Sequence, residues 1–246
     1  MKIIARSDKG LVRHNNQDSF SSGEFPDGCV WATVCDGMGG ANGGNVASAM
    51  AVKIIAEQLT ASYQSNMTDN SIKNLLESAV NAANISIYNQ ARRDTELSGM
   101  GTTVVLALVK NAVAYIVHAG DSRAYIFNSQ SIRQVTKDHS VVQTLIDKGQ
   151  LTASQAKSHP SKNIITRALG VSENIKIEFD VENLPEGECL LICSDGLTNF
   201  LDIDDIFNEV KDNKYYAYAQ RLVDKANENG GGDNITVVVI ANVTGE

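Results

Sequence analysis

Positive charge is scarce in this chain: 21 lysines and arginines stand against 29 aspartates and glutamates, a formal net charge of -8 over 246 residues. A polyanion would be repelled unless the basic residues gathered on one face. No Lys/Arg-rich run gathers them, so the expectation is no nucleic acid partner. Long apolar runs are missing too. No segment approaches the roughly 18 residues of a membrane span. Charges at Arg6, Asp8 and Lys9 interrupt the start where a signal peptide would be apolar. A soluble, cytoplasmic protein with no membrane span is expected.

Cysteine is equally sparse. Cys29 and Cys35 share one strand-like run, and Cys189 and Cys193 another. Partners four or six residues apart on a strand lie about 13 to 20 Å from each other, too far for a bond or a shared zinc ion. Pairing between the runs stays open, with buried thiols in a reducing compartment as the main expectation. No arginine stands six residues after any cysteine, which removes the C-x5-R loop of a cysteine phosphatase. The histidines His14, His118, His139 and His159 show neither H-x3-H nor H-E-x-x-H spacing. The stretch DGMGGANGG lacks the third glycine of G-x-G-x-x-G, no strand returns after one helix, and no Gly-Lys-Ser/Thr follows.

What is present is an ordinary globular composition, 43% apolar and 20% charged, long enough for one large domain over 1–246. A strand over 29–35 leads into a glycine-rich turn and then two helices, about 45–63 and 71–97. TTVVLALV and AVAYIVHAG are separated only by Lys110 and Asn111, and RAYIF and SIRQVT by Asn128, Ser129 and Gln130. Such connections make antiparallel hairpins. A polar excursion over 138–168 carries two short helical pieces and reads as a flap. Strands follow over 175–181 and 189–193, joined by a Pro185-Glu186-Gly187 turn; helices over 202–210 and 215–229 precede a last strand over 235–241. Strands apolar on both faces need cover on both sides. The expected class is α+β: a four-layer α-β-β-α sandwich, two antiparallel sheets packed face to face and flanked by helices, with a flap subdomain.

Five aspartates punctuate strand edges: Asp18, Asp36, Asp121, Asp195 and Asp233, each beside glycine or an amide. One Asp beside glycine is an ordinary turn former. Five at strand termini can meet in space, and two carboxylates about 4 Å apart repel by ~4 kcal/mol at an effective dielectric near 20. Such a cluster needs cations, and an all-oxygen donor set suits Mg²⁺ or Mn²⁺.

RHNNQD, DGMGG, GDSR, SDGL and GGDNIT occur here in the order of the metal-dependent protein phosphatase family, the type 2C serine/threonine phosphatases, and resemble its bacterial members most. The resemblance implies two core ions bridged by Asp36, with the Gly37 carbonyl as a further ligand. It also implies Asp195 and Asp233 on one ion, Asp18 acting through bound water, and Arg13 binding phosphate. The implied reaction is hydrolysis of phosphoserine and phosphothreonine in proteins by a metal-activated water, without a covalent phosphoenzyme. The implied partners are phosphorylated proteins made by a serine/threonine kinase, met by a monomer. Two positions depart from the pattern. Met38 replaces the histidine of the eukaryotic DGHGG, so the leaving group takes its proton from water or another group. Asn199 replaces an aspartate associated with a third metal, so Asp121 is expected to anchor a weaker third ion. Ser161 and Arg167 read equally well as substrate contacts or as loop polarity. The rival from another class is a metal-dependent phosphopeptide-binding domain without turnover. Retention of the matched aspartates and Arg13 argues against it.

Overall fold

In the computed structural model, which describes residues 1–211 and 214–243, the doubly apolar runs become the inner strands of two antiparallel sheets. One sheet is ordered β2 (Asp18–Glu24), β3 (Val30–Met38), β5 (Val104–Lys110), β6 (Val113–Ala119) and β9 (Glu178–Asn183), with the short β4 (Gly101–Thr102) paired to the end of β3. The other is ordered β1 (Lys2–Asp8), β11 (Ile235–Ala241), β10 (Cys189–Cys193), β7 (Arg123–Phe127) and β8 (Ile132–Gln134).

Successive strand side chains point to opposite faces, and the core divides accordingly. Val34, Val105 and Ile116 of the first sheet meet Ile126, Ile192 and Val238 of the second in a central layer. Their neighbours point outward: Leu106 joins Ile55 of α1 (Gly40–Ser62) and Leu76 of α2 (Asp69–Arg93). On the far side Val239 joins Leu197, Ile206 and Leu222, carried by α5 (Asp195–Thr198), α6 (Ile203–Val210) and α7 (Tyr218–Glu228). Each strand is therefore apolar on both faces because each face has its own cover, and the four expected layers are present.

The 138–168 excursion leaves from the β8 edge and carries α3 (Val141–Asp147) and α4 (Ala153–Lys157). Ser140 caps the first, and a Thr152–Gln155 capping box starts the second. The two stems of the excursion close on each other, with Ser140 bridged to Ile165 and the Thr166 N–H donating to the His139 carbonyl at 2.7 Å.

Several boundaries differ from expectation. DGMGGANGG is not a turn: Asp36, Gly37 and Met38 are the last residues of β3, and α1 begins at Gly40. The reason is close approach, since a Cβ on Gly37 would run into the carbonyl of Gly44. The β5–β6 turn sits one residue later, on Asn111 and Ala112, both at positive φ (51° and 61°). That is the pairing of dihedrals a right-twisted two-residue hairpin asks for. The β7–β8 turn is longer, closed between Asn128 and Ser131. The second long helix stops at Arg93, where Asp94 caps a short 3-10 turn over Thr95–Leu97, and α7 is likewise preceded by a 3-10 turn over Tyr215–Ala217. β9 starts at Glu178 rather than 175, and the Pro185 turn carries the chain from one sheet to the other. β1, unforeseen, pairs with β11 from Lys2 opposite Ala241 to Asp8 opposite Ile235. All four cysteines are free and buried. Among the described residues no helix is long and apolar enough to cross a membrane.

Candidate active site

The five aspartates come together where the β2–β3 end of one sheet faces the β10–β11 end of the other. Asp18 opens β2 and stands opposite Asp36 of β3 in register. Asp195 is the first residue of α5, Asp233 lies just before β11, and Asp121 lies in the β6–β7 connection. Asp36 is therefore inside its strand rather than after it, as its place before Gly37 had suggested.

Hydrogen bonds from both sheets hold the cluster. The Thr103 hydroxyl accepts from the Asp36 N–H at 2.9 Å, and the Thr102 hydroxyl donates to the Asp36 carbonyl at 2.8 Å. Ser194 reaches across from β10, donating to Asp18 Oδ2 at 2.7 Å while accepting from the Thr236 N–H at 2.9 Å. Asn234 is the clasp of the amino-terminal loop. Its Oδ1 accepts from the Gln17 N–H at 2.8 Å, and its Nδ2 donates to the Lys9 and Asn15 carbonyls at 2.9 Å. The same loop carries Arg13, whose Nη2 donates to Asp233 Oδ2 at 2.8 Å with the arginine side chain 52% exposed. The supporting roles of Ser194, Thr103 and Asn234 were not anticipated; their motifs were visible, their partners some 40 to 220 positions away were not.

Electrostatics single out the same groups. Burial, then the charges of Asp195 and Asp233, push the Asp18 carboxyl up to about 7, against the pull of its hydroxyl partners. Burial, then Asp195 and Asp138, raise Asp121 to about 7. Burial followed by Asp18, Asp195 and Asp121 holds Asp36 well above the usual carboxylate range, and burial and Asp233 raise Asp195. Asp18 Oδ1 is buried with no hydrogen-bond partner. Oxygen donors only, like charges buried together and an orphaned buried carboxylate oxygen form a donor set that fits hard divalent cations.

The sign of the pH response follows. A carboxyl whose pKa rises on folding stabilises the protein below the unfolded value and loses that contribution as pH climbs through the folded value. With chelator present, the melting temperature is expected to fall between pH 5 and pH 7.5 as Asp18 and Asp121 ionise. His139, pushed down to about 4 by burial, His118 and Arg167, opposes this with a single proton. Mn²⁺ should raise the melting temperature more at pH 7.5 than at pH 5. A chelated protein that melts higher at pH 7.5 would refute the electrostatic picture.

Behind Asp121, the His118 and His139 rings stack at 4.7 Å. His139 Nδ1 accepts from the Gly120 N–H at 3.2 Å, and its backbone N–H donates to the Gly120 carbonyl at 2.8 Å, so it holds the residue next to Asp121. His118, His139 and Glu178 present ligand atoms within 4.8 Å of one another. The Arg167 guanidinium already stands among them, 2.8 Å from both Glu178 Oε1 and His139 Nε2. Arg167 thus braces the root of the excursion. Asn199 Nδ2 donates to Asp195 Oδ2 at 3.0 Å.

Comparison with known proteins places this arrangement. A family model described as protein phosphatase 2C matches residues 12–234. The serine/threonine phosphatase stp of Listeria monocytogenes is 36% identical over 236 residues, 96% of this chain and 93% of that protein. The crystal structure of the serine/threonine phosphatase Stp1 from Staphylococcus aureus superposes with a TM-score of 0.93 at 31% identity, covering 99% of this chain and 95% of that one. The catalytic domain of the serine threonine protein phosphatase PstP, solved in complex with 2 manganese ions, gives 0.84 at 33% identity, covering 97% and 96%.

Proposed function

The chain belongs to the protein phosphatase 2C family and is a metal-dependent serine/threonine protein phosphatase, and from that premise we propose how its own residues divide the work. Asp36 and the Gly37 carbonyl would hold two core cations, Mn²⁺ or Mg²⁺. Asp195 and Asp233 would help hold one of them, and Asp18, oriented by Ser194, would contribute through bound water. When bound, the cations supply an activated water and neutralise phosphoryl charge. The observation that carries this reading is the gathering of buried, like-charged carboxylates around an orphaned oxygen, with Arg13 at the rim.

Arg13 is the phosphate clamp, because a planar guanidinium can grip two phosphoryl oxygens at once. Nothing in the set asks for a covalent intermediate. Burial pushes the thiols of Cys35 and Cys193 up to about 12, so neither is a nucleophile. Met38 carries no transferable proton, so the leaving alkoxide takes its proton from water or another group. Asp121 would hold a third ion, and more weakly, since Asn199 brings an amide where a carboxylate would add charge. Metal titration should show Asn199→Asp binding the weakest ion roughly tenfold more tightly, about the effect of one added 1.4 kcal/mol interaction; equal affinity removes the argument.

The 138–168 excursion serves as a flap beside this centre. The enzyme acts in the cytoplasm as a monomer and reverses a cognate serine/threonine kinase, because its substrates exist only where such a kinase has made them. The deciding assay is hydrolysis of a chromogenic phosphate ester and a phosphothreonine peptide with Mn²⁺, with and without chelator. Turnover that chelation abolishes is expected, whereas chelator-insensitive or absent turnover would overturn the assignment.

A further inference from the structure

A cleft of about 590 Å³ opens on the aspartate cluster, with Asp121 and Asp195 among its walls, and runs between the 138–168 excursion and the start of α6. Apolar side chains share its lining with charged ones. Val142 and Ile146, one helical turn apart on α3, line it together with Ala156 of α4 and with Leu201 and Ile203. None of the α3 residues is fully buried, and Ile203 is 38% exposed. Val142, Ile146 and Ile203 therefore line a trough instead of filling a core, while Leu201, 2% exposed, packs in the core with Leu197 and Ile206.

Charges around the trough are largely committed to one another. Arg123 is gripped by both Asp138 oxygens at 2.8 and 2.6 Å, Asp202 and Asp205 are tied into the α6 capping box, and Lys157 stands 3.9 Å from Asp202. A ligand would thus be selected by apolar fit more than by charge. An extended peptide advances about 3.3 Å per residue, so a chain whose phosphorylated residue sits at the aspartates reaches the trough within one or two residues.

We propose that this cleft is a specificity subsite that takes an apolar side chain, of leucine or isoleucine size, one or two residues from the phosphorylated residue of a phosphoprotein substrate. It rests on the reading of the aspartate cluster as the catalytic centre. Being continuous with that centre, the trough commits to the substrate chain itself as occupant.

The test uses the full chain with Mn²⁺ and phosphothreonine peptides that differ only at the two positions on either side, carrying leucine, glycine, aspartate or lysine. At one of these positions kcat/KM for leucine should exceed that for glycine about tenfold, the scale of discrimination available to an apolar pocket. Ile146→Ser on one wall and Ile203→Ser on the other should each draw the ratio toward one, mainly through KM. Taking the ratio within each variant keeps the readout independent of any change in total activity. A ratio near one at every position in the unmodified protein, a preference for aspartate or lysine, or a ratio unchanged in both variants would overturn the subsite. Failure to hydrolyse either the peptides or a small chromogenic ester would instead overturn the catalytic reading, and this one with it.

Discussion

Asp36→Asn is expected to lower kcat/KM by about 10²–10⁴-fold, the kinetic equivalent of the roughly 3–5 kcal/mol lost when one partner of a buried charge pair is removed. The substitution is nearly isosteric. The backbone contacts of Asp36 with Thr102 and Thr103 do not involve the carboxyl group and should survive. A second readout separates lost chemistry from lost fold. In chelator the variant should melt higher than the unmodified protein, because it no longer buries a carboxyl held well above its ordinary range by burial and by Asp18, Asp195 and Asp121. Loss of turnover with a raised melting temperature is the expected signature. Turnover within threefold of the unmodified protein would mean that Asp36 does not bridge the ions.

Asn234→Ala should act through position instead of charge. Asn234 is 6% exposed, and its amide makes three hydrogen bonds to the loop that carries Arg13. Removing it strands backbone groups of Lys9, Asn15 and Gln17. At about 1–3 kcal/mol for each buried group left unsatisfied, a loss near 3 kcal/mol is expected where water enters to replace part of the set. KM for a phosphothreonine peptide should rise by about tenfold or more as Arg13 loses its mooring, the counterpart of one 1.4 kcal/mol contact. Asn234→Asp keeps the acceptor for Gln17 but loses both donors and adds a charge beside Asp233, so it should be no better tolerated. An alanine variant with unchanged melting and unchanged KM would show that the loop holds its place without this residue.

Much of this architecture is legible from residue order alone, for reasons that can be stated. β5, β6, β10 and β11 are short and doubly apolar, and β5 and β6 are joined by a two-residue turn, so both their strand character and the need for two covering layers are local properties. β1 escaped because KIIARSD is an edge strand with mixed, half-buried faces, and its partner lies at the other end of the chain. The glycine-rich stretch after Cys35 misled because glycine usually marks a turn. Here Gly37 and Gly44 are small so that β3 and α1 can pack backbone to backbone, a relation between elements that no window of sequence displays. The same holds within the site. The aspartates announced themselves by residue type and motif, whereas Ser194, Thr103 and Asn234 belong to it only through partners contributed by other strands.

The way the two ends of the chain are knitted together bears on when this protein can begin to work during synthesis. Lys2 is registered opposite Ala241, and Arg13 finds Asp233 across 220 positions. A ribosome-bound chain that has emerged only as far as β10 has Asp18, Asp36, Asp121 and Asp195 but neither Asp233 nor the β11 strand beside which β1 must lie. Such an intermediate cannot close the site, so dephosphorylation waits for β11 to emerge and pair with β1. Half-made copies are thereby kept from acting on the phosphoproteins around them.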